Sequence, residues 1–163
     1  MKELTKKFTY QEFESAELLN ASDRELLATA KTAAGASYAP YSRYHVGAAL
    51  RLMNGFVFKG SNQENASFPA GSCAERTALF AAMAANPDIA IEAIAITARS
   101  EDFRVDSPVT PCGICRQALL EFELKSGRNI RVIMAGDTGP VFIVNSISDL
   151  LPLSFSVRDL KKK

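Results

Sequence analysis

Apolar positions fall first into a helical rhythm: Leu26, Leu27, Ala30 and Ala34 recur at the spacing that puts them on one helix face. Asp23 is placed to cap a helix from Arg24 to about Ala34, and Gly35 follows as a stop signal. Tyr38 to Ser42, interrupted by Pro40, reads as a loop. The period then changes, because Val46 to Met53 and Phe56 to Gly60 are strand-like runs flanking Asn54-Gly55, a strong hairpin signal. Small and turn-forming residues from Asn62 to Ser72 predict irregular chain leading into an alanine-rich helix from about Cys73 to Ala85. Ile89 to Ala98 is a buried-strand candidate. Pro111 opens a helix reaching about Ser126, and Ile130 to Ala135 and Val141 to Val144 add two strands.

Strands alternating with helices after an opening hairpin predict an α/β fold in three layers, with a mixed sheet of about five strands between helices. At 163 residues the chain suits one domain, residues 23–163, preceded by an N-terminal arm, residues 1–22. An apolar fraction of 47% and a charged fraction of 23% are those of an average soluble protein and disfavour disorder or a disulfide scaffold. With 19 Lys and Arg against 18 Asp and Glu there is no broad positive field, so nucleic acid is not an expected partner. The basic run Lys161, Lys162, Lys163 reads as a solvated tail. Lys6, Lys7 and Glu12 interrupt Leu4, Phe8 and Phe13, so no signal-peptide core forms, and no run approaches the ~20 apolar residues of a membrane span. A soluble, cytoplasmic protein without a membrane partner is expected.

The three cysteines are an odd number, which fits a reducing compartment better than a disulfide framework. All lie in Cys73-Ala74-Glu75 and Pro111-Cys112-Gly113-Ile114-Cys115, each at the predicted start of a helix. Cys112 and Cys115 share a helix face, and joining them to Cys73 requires two helix ends to converge. The positive end of a helix favours thiolate, which suits zinc. Three protein ligands leave a fourth tetrahedral position for water, whose pKa zinc lowers to about 7. Hydroxide attack on an amidine carbon also needs a proton shuttle, so that the amino group departs as ammonia, and Glu75 is the candidate. First-turn side chains lean toward the helix start, so Glu75 and Cys73 can face the same space. Cys-x-x-Cys alone also fits a buried pair or a redox site, and His45 completing a closed Cys3His centre is the structural alternative.

Three cysteines with a non-ligand glutamate match the signature of zinc deaminases. At these residues the chain resembles the small cytidine deaminases, from about Arg24 to Asp159. The resemblance rests on Pro40-Tyr41-Ser42 with Val46-Gly47-Ala48-Ala49, Asn62-Gln63-Glu64-Asn65-Ala66, Cys73-Ala74-Glu75-Arg76 and Pro111-Cys112-Gly113-Ile114-Cys115-Arg116-Gln117. It implies a cytidine deaminase-like fold and hydrolysis of cytidine and deoxycytidine to uridine and deoxyuridine, with release of ammonia, in pyrimidine salvage. It also implies one Zn2+ per subunit, held by Cys73, Cys112 and Cys115.

Further roles follow from the same resemblance. Asn62 and Glu64 would bind the ribose hydroxyls, the Ala74 N–H would meet the pyrimidine carbonyl, and Arg76 would donate to the thiolates. Tyr44 stands where the family usually has phenylalanine against the base, and His45 beside it should face the other way. Leu150-Leu151-Pro152 followed by Phe155 resembles the segment whose phenylalanine enters a neighbouring subunit's site, which implies a homotetramer. The plainer readings are loop stabilisation for Asn62 and Glu64, a surface arginine for Arg76, core packing for Tyr44, and Phe155 capping its own core. Within the enzyme class, a blasticidin S-type antibiotic deaminase is the alternative. The Glu64 charge would favour nucleosides over nucleotides.

Overall fold

Asn54-Gly55 turns the chain back on itself between β2 (Tyr44–Leu52) and β3 (Val57–Ser61), an antiparallel hairpin with Gly47 opposite Ser61 and Arg51 opposite Val57. Gly55 takes a φ of 87°, which a side chain would oppose, and the Phe56 amide donates to Asn54 Oδ1 at 3.2 Å. The computed structural model describes residues 1–160. β4 (Ile91–Ser100) runs antiparallel along the other side of β2. α3 (Gly113–Ser126) then carries the chain to β5 (Arg131–Ala135), parallel to β4, as a strand-helix-strand unit favours. β6 (Val141–Val144) returns antiparallel to β5, and β1 (Gln11–Phe13) pairs antiparallel with β6. The six strands run in the order β1-β6-β5-β4-β2-β3.

Strand alternation sorts the core into two layers. Ala49, Ala93, Ala95 and Ile133 face α1 (Ala21–Ala34), through Leu26, Leu27 and Ala30. Ala48, Leu50, Leu52, Ile94 and Ile96 face the opposite way, onto α2 (Ala74–Ala85) and α3 through Ala78, Leu79 and Leu119. Two glycines let helix backbone rest on the sheet. A Cβ at Gly47 would lie 2.0 Å from Ala30 O, and one at Gly60 would lie 2.2 Å from Ala74 O. The second contact sets the height of the first turn of α2. At the far end of α3, buried Glu123 accepts the amides of Ile130 at 2.7 Å and Ile147 at 3.0 Å, and the Ser146 hydroxyl at 2.7 Å. That carboxylate ties α3 to the entry of β5 and to the 3-10 turn Ile147–Leu150.

One expectation needs correction. The cap of α1 is Asn20 rather than Asp23: Asn20 Oδ1 accepts the Asp23 amide at 2.9 Å, and the helix starts at Ala21. Asp23 is instead buried within the first turn and receives Arg131 Nη1 at 2.5 Å. Asn and Asp are comparable caps, and the partner that draws Asp23 inward is remote in sequence. The sheet, expected to have about five strands, has six, the sixth being β1 from the N-terminal segment; three residues are too few to display alternation. Leu19 is buried in the core beneath α1, and the Tyr10 ring lies 4.9 Å from that of Phe142. Lys161, Lys162 and Lys163, expected as a solvated tail, lie outside the described residues. Among those described, no helix is long and apolar enough to cross a membrane.

Candidate metal and active site

Cys73 stands at the N-cap of α2 and Cys112 at the N-cap of α3, and neither side chain makes a capping hydrogen bond. Both sulfurs are therefore available to something other than their own helices. Cys115 follows in the first turn of α3, fully buried. The three Sγ atoms lie within 4.8 Å of one another, with Cys112 and Cys115 3.5 Å apart. Zinc bound tetrahedrally at about 2.3 Å would hold its sulfurs about 3.8 Å apart, so the cluster is sized for such an ion. Three thiolates also form a soft donor set that suits it.

The electrostatics agree with that fit. The Cys73 thiol is pulled down to about 5, first because Cys115 donates to it, then through Arg76 and Cys112. Cys115 is pushed up by the same hydrogen bond and by burial. The opposed shifts of the two sulfurs follow from that one hydrogen bond between them. Arg76 faces the Cys73 and Cys115 sulfurs; burial opposes its charge, but their attraction raises its pKa. Its Nε is buried without a hydrogen-bond partner, while Nη2 reaches Gly71 O at 3.4 Å.

Glu75, in the first turn of α2, is only 5% exposed. Burial first, and then the negative Cys73, pushes its carboxyl above the ordinary glutamate range. It is not part of the ligand cluster, which among the described residues comprises the three cysteines alone. His45 does not close the site either. Its Nδ1 meets Ser37 Oγ at 2.5 Å and its Nε2 meets Glu101 Oε1 at 2.9 Å, so both ring nitrogens are committed elsewhere. The closed Cys3His reading is not favoured.

A cavity of about 790 Å³ leads to this cluster, with Cys73, Ala74, Glu75, Arg76 and Cys112 in one wall and Tyr44, Asn62 and Glu64 in the rest. Asn62 Oδ1 accepts the Val46 amide at 2.8 Å, and its Nδ2 donates to Tyr44 O at 2.9 Å. Glu64 Oε2 accepts the amides of Tyr41 at 2.9 Å and Ser42 at 3.2 Å, and Oε1 accepts the Ser42 hydroxyl at 2.5 Å. Both residues stabilise loops and line the cavity. The partly buried Tyr44 has its phenol pKa raised by burial, and its ring stacks on Phe103 at 6.1 Å. Ala74 is buried at the first position of α2, where backbone N–H groups have no helical acceptor.

Phe155 is 58% exposed, lies outside this cavity, and has its carbonyl held by Gln117 Nε2 at 3.0 Å. Sequence reasoning gave no role to Tyr41, Ser42, Phe68, Val109 or Thr110, which also line the cavity. Ser42 sits in a motif that was singled out, yet its partner Glu64 emerges only once the chain has folded.

A cavity leading to three convergent thiols, with a buried carboxyl at its side, defines a metal-dependent hydrolytic enzyme on a layered α/β sheet. A family model described as "Cytidine and deoxycytidylate deaminase zinc-binding region" matches residues 20–128, so the chain belongs to that family of zinc-binding deaminases. It is 38% identical over 141 residues to a cytidine deaminase of Halalkalibacterium halodurans, spanning 85% of this chain and 98% of that one. It is also 35% identical over 144 residues to the cytidine deaminase of Sporosarcina psychrophila, spanning 83% and 93%. The crystal structure of cytidine deaminase from Burkholderia pseudomallei superposes with a TM-score of 0.71 at 40% identity, covering 84% of this chain and 100% of that chain.

Proposed function

We propose that this protein hydrolyses cytidine and deoxycytidine to uridine and deoxyuridine, releasing ammonia. The observation that carries the reading is the approach of Cys73, Cys112 and Cys115 to within 4.8 Å beside buried Glu75, at the end of a cavity of nucleoside size. Cys73, Cys112 and Cys115 hold one zinc ion per subunit. When bound, zinc supplies a water activated for attack near neutral pH. Glu75 would take one proton from the water as it adds to the carbon bearing the amino group and pass it to the adjacent ring nitrogen, which keeps it in the product; it would then carry the second proton from the new hydroxyl to the amino group, so that ammonia departs as the carbonyl forms. The Ala74 N–H orients the pyrimidine carbonyl, Tyr44 packs against the base, and Asn62 and Glu64 receive the ribose hydroxyls. Arg76 offsets the excess negative charge of three thiolates around a divalent ion.

Among the described residues Arg76 is the only cationic one lining the cavity, and its charge is directed at the sulfurs, while Glu64 repels phosphate. That balance supports nucleosides over nucleotides as substrates. Phe155 reaches the cavity of a neighbouring subunit in a homotetramer, and the enzyme serves pyrimidine salvage in the cytoplasm. The test is spectroscopic turnover of cytidine, deoxycytidine, cytidine monophosphate and blasticidin S, paired with zinc content. Glu75→Ala is expected to keep its zinc and lose about 10²- to 10⁴-fold in turnover. Cys112→Ala is expected to lose its zinc. Zinc-loaded protein that leaves cytidine intact would falsify the reading.

A further inference from the structure

The loop between α1 and β2 bends sharply over the cavity, and one hydroxyl sits at the centre of its bonding. Ser42 Oγ donates to Glu64 Oε1 at 2.5 Å and accepts the Tyr44 amide at 3.1 Å. A single side-chain atom therefore joins the carboxylate assigned to the sugar to the residue assigned to the base. A carboxylate offers about four lone-pair directions. Three are occupied, two on Oε2 by the Tyr41 and Ser42 amides and one on Oε1 by the Ser42 hydroxyl. What remains is one direction on Oε1, the oxygen that Ser42 holds.

We propose that Ser42 is a positioning residue for substrate: its hydroxyl fixes the rotation of the Glu64 carboxylate so that the one free lone pair on Oε1 meets a ribose hydroxyl. The inference rests on the ribose-binding role proposed for Glu64. Without that hydroxyl, Oε1 is left free to turn toward solvent, and part of the binding free energy goes to reordering it. The surrounding backbone is held independently. Arg43 lies in the left-handed region at φ 54°, its amide reaches Ala39 O at 3.0 Å, its carbonyl accepts the Glu101 amide at 3.1 Å, and its guanidinium pairs with Glu101 and Asp102, each at 3.1 Å. Removing the Ser42 hydroxyl should therefore release Oε1, with Oε2 still held by the Tyr41 and Ser42 amides, without releasing the loop.

The experiment measures KM and kcat of zinc-loaded enzyme on cytidine and on 2′,3′-dideoxycytidine, which lacks the 2′ and 3′ hydroxyls and keeps the 5′ one. The variants are Ser42→Ala, Ser42→Thr, Glu64→Ala and the double Ser42→Ala/Glu64→Ala. For Ser42→Ala the expected result is a KM for cytidine raised about tenfold, the size of one charge-assisted hydrogen bond, with kcat nearly unchanged. KM for the dideoxy substrate should stay put, and Ser42→Thr, which keeps the hydroxyl, should restore cytidine binding. In the Glu64→Ala background, removing the Ser42 hydroxyl should add nothing.

An equal rise in KM for both substrates would overturn the proposal, since it would report a loop collapse around Tyr44. So would a Glu64→Ala effect specific to cytidine with no effect of Ser42→Ala. If Glu64→Ala itself fails to separate cytidine from the dideoxy substrate, the ribose-binding role of Glu64 falls first, and the two failures are distinguishable.

Discussion

Glu64 carries its charge under unusual support, with the Ser42 hydroxyl first and the Tyr41 and Ser42 amides behind it, and these lower its pKa below the ordinary value of 4.5. A carboxylate depressed in the folded state stabilises the fold above its unfolded pKa, and that contribution is lost as pH falls through the lowered value. As a ribose acceptor it should behave in parallel. KM for cytidine is expected to stay flat as pH falls from neutrality to the ordinary glutamate value and to rise only below it, as steady-state measurements in mildly acidic buffers would show. A rise already at pH 6, with zinc retained, would mean that Glu64 is not the group that receives the sugar.

The two helices that carry the cysteines are placed by different means, and this makes them unequally sensitive. The first turn of α2 rests on Gly60, where a Cβ would approach Ala74 O to 2.2 Å and Ala78 N to 2.5 Å. Gly60→Ala is expected to lift that turn, destabilise the fold by about 1–3 kcal/mol as overpacked cores do, and weaken zinc retention, because Cys73 and Glu75 move with it. Gly113, at the start of α3, has nothing outside its chain neighbours and its own helix backbone within 4 Å of the position a Cβ would take, among the described residues, so Gly113→Ala should match wild type in both readouts. Denaturant titration with zinc analysis compares the pair directly. Equal behaviour would break the link between the glycine contact and the metal site. Helix positions were legible in advance because apolar spacing and turn residues are local signals. The cap of α1 was not, since Asn20 and Asp23 compete on equal terms until Arg131 arrives from β5 to take Asp23.

At the scale of the whole molecule, exposed apolar side chains bear on how subunits would meet. Phe155, Leu153 and Ile114 are exposed by 58%, 101% and 66%, a set of apolar side chains left uncovered among the described residues. In the proposed tetramer they would be partly buried between subunits, and Phe155 would enter a neighbour's cavity. Phe155→Ala is then expected to keep zinc and lose catalytic efficiency. Mixing that variant with Glu75→Ala should restore part of the activity, since some hybrid sites combine intact Phe155 with intact Glu75. Sedimentation as a monomer at micromolar concentration, with full turnover, would exclude the arrangement.

The chemistry of the site was present in the chain as written. Three cysteines and Glu75 occupy helix-opening motifs, and side-chain type and spacing along one helix are properties of neighbours in sequence. Asn54-Gly55 and the alternation around it marked the hairpin for the same reason. What folding added was proximity between distant segments: β1 joining β6, Asp23 turning inward to Arg131, His45 engaged with Ser37 and Glu101 rather than with the metal site, and Ser42 meeting Glu64. Each of those outcomes depends on which backbone groups and charges the packed layers bring within bonding distance, and no local periodicity encodes that.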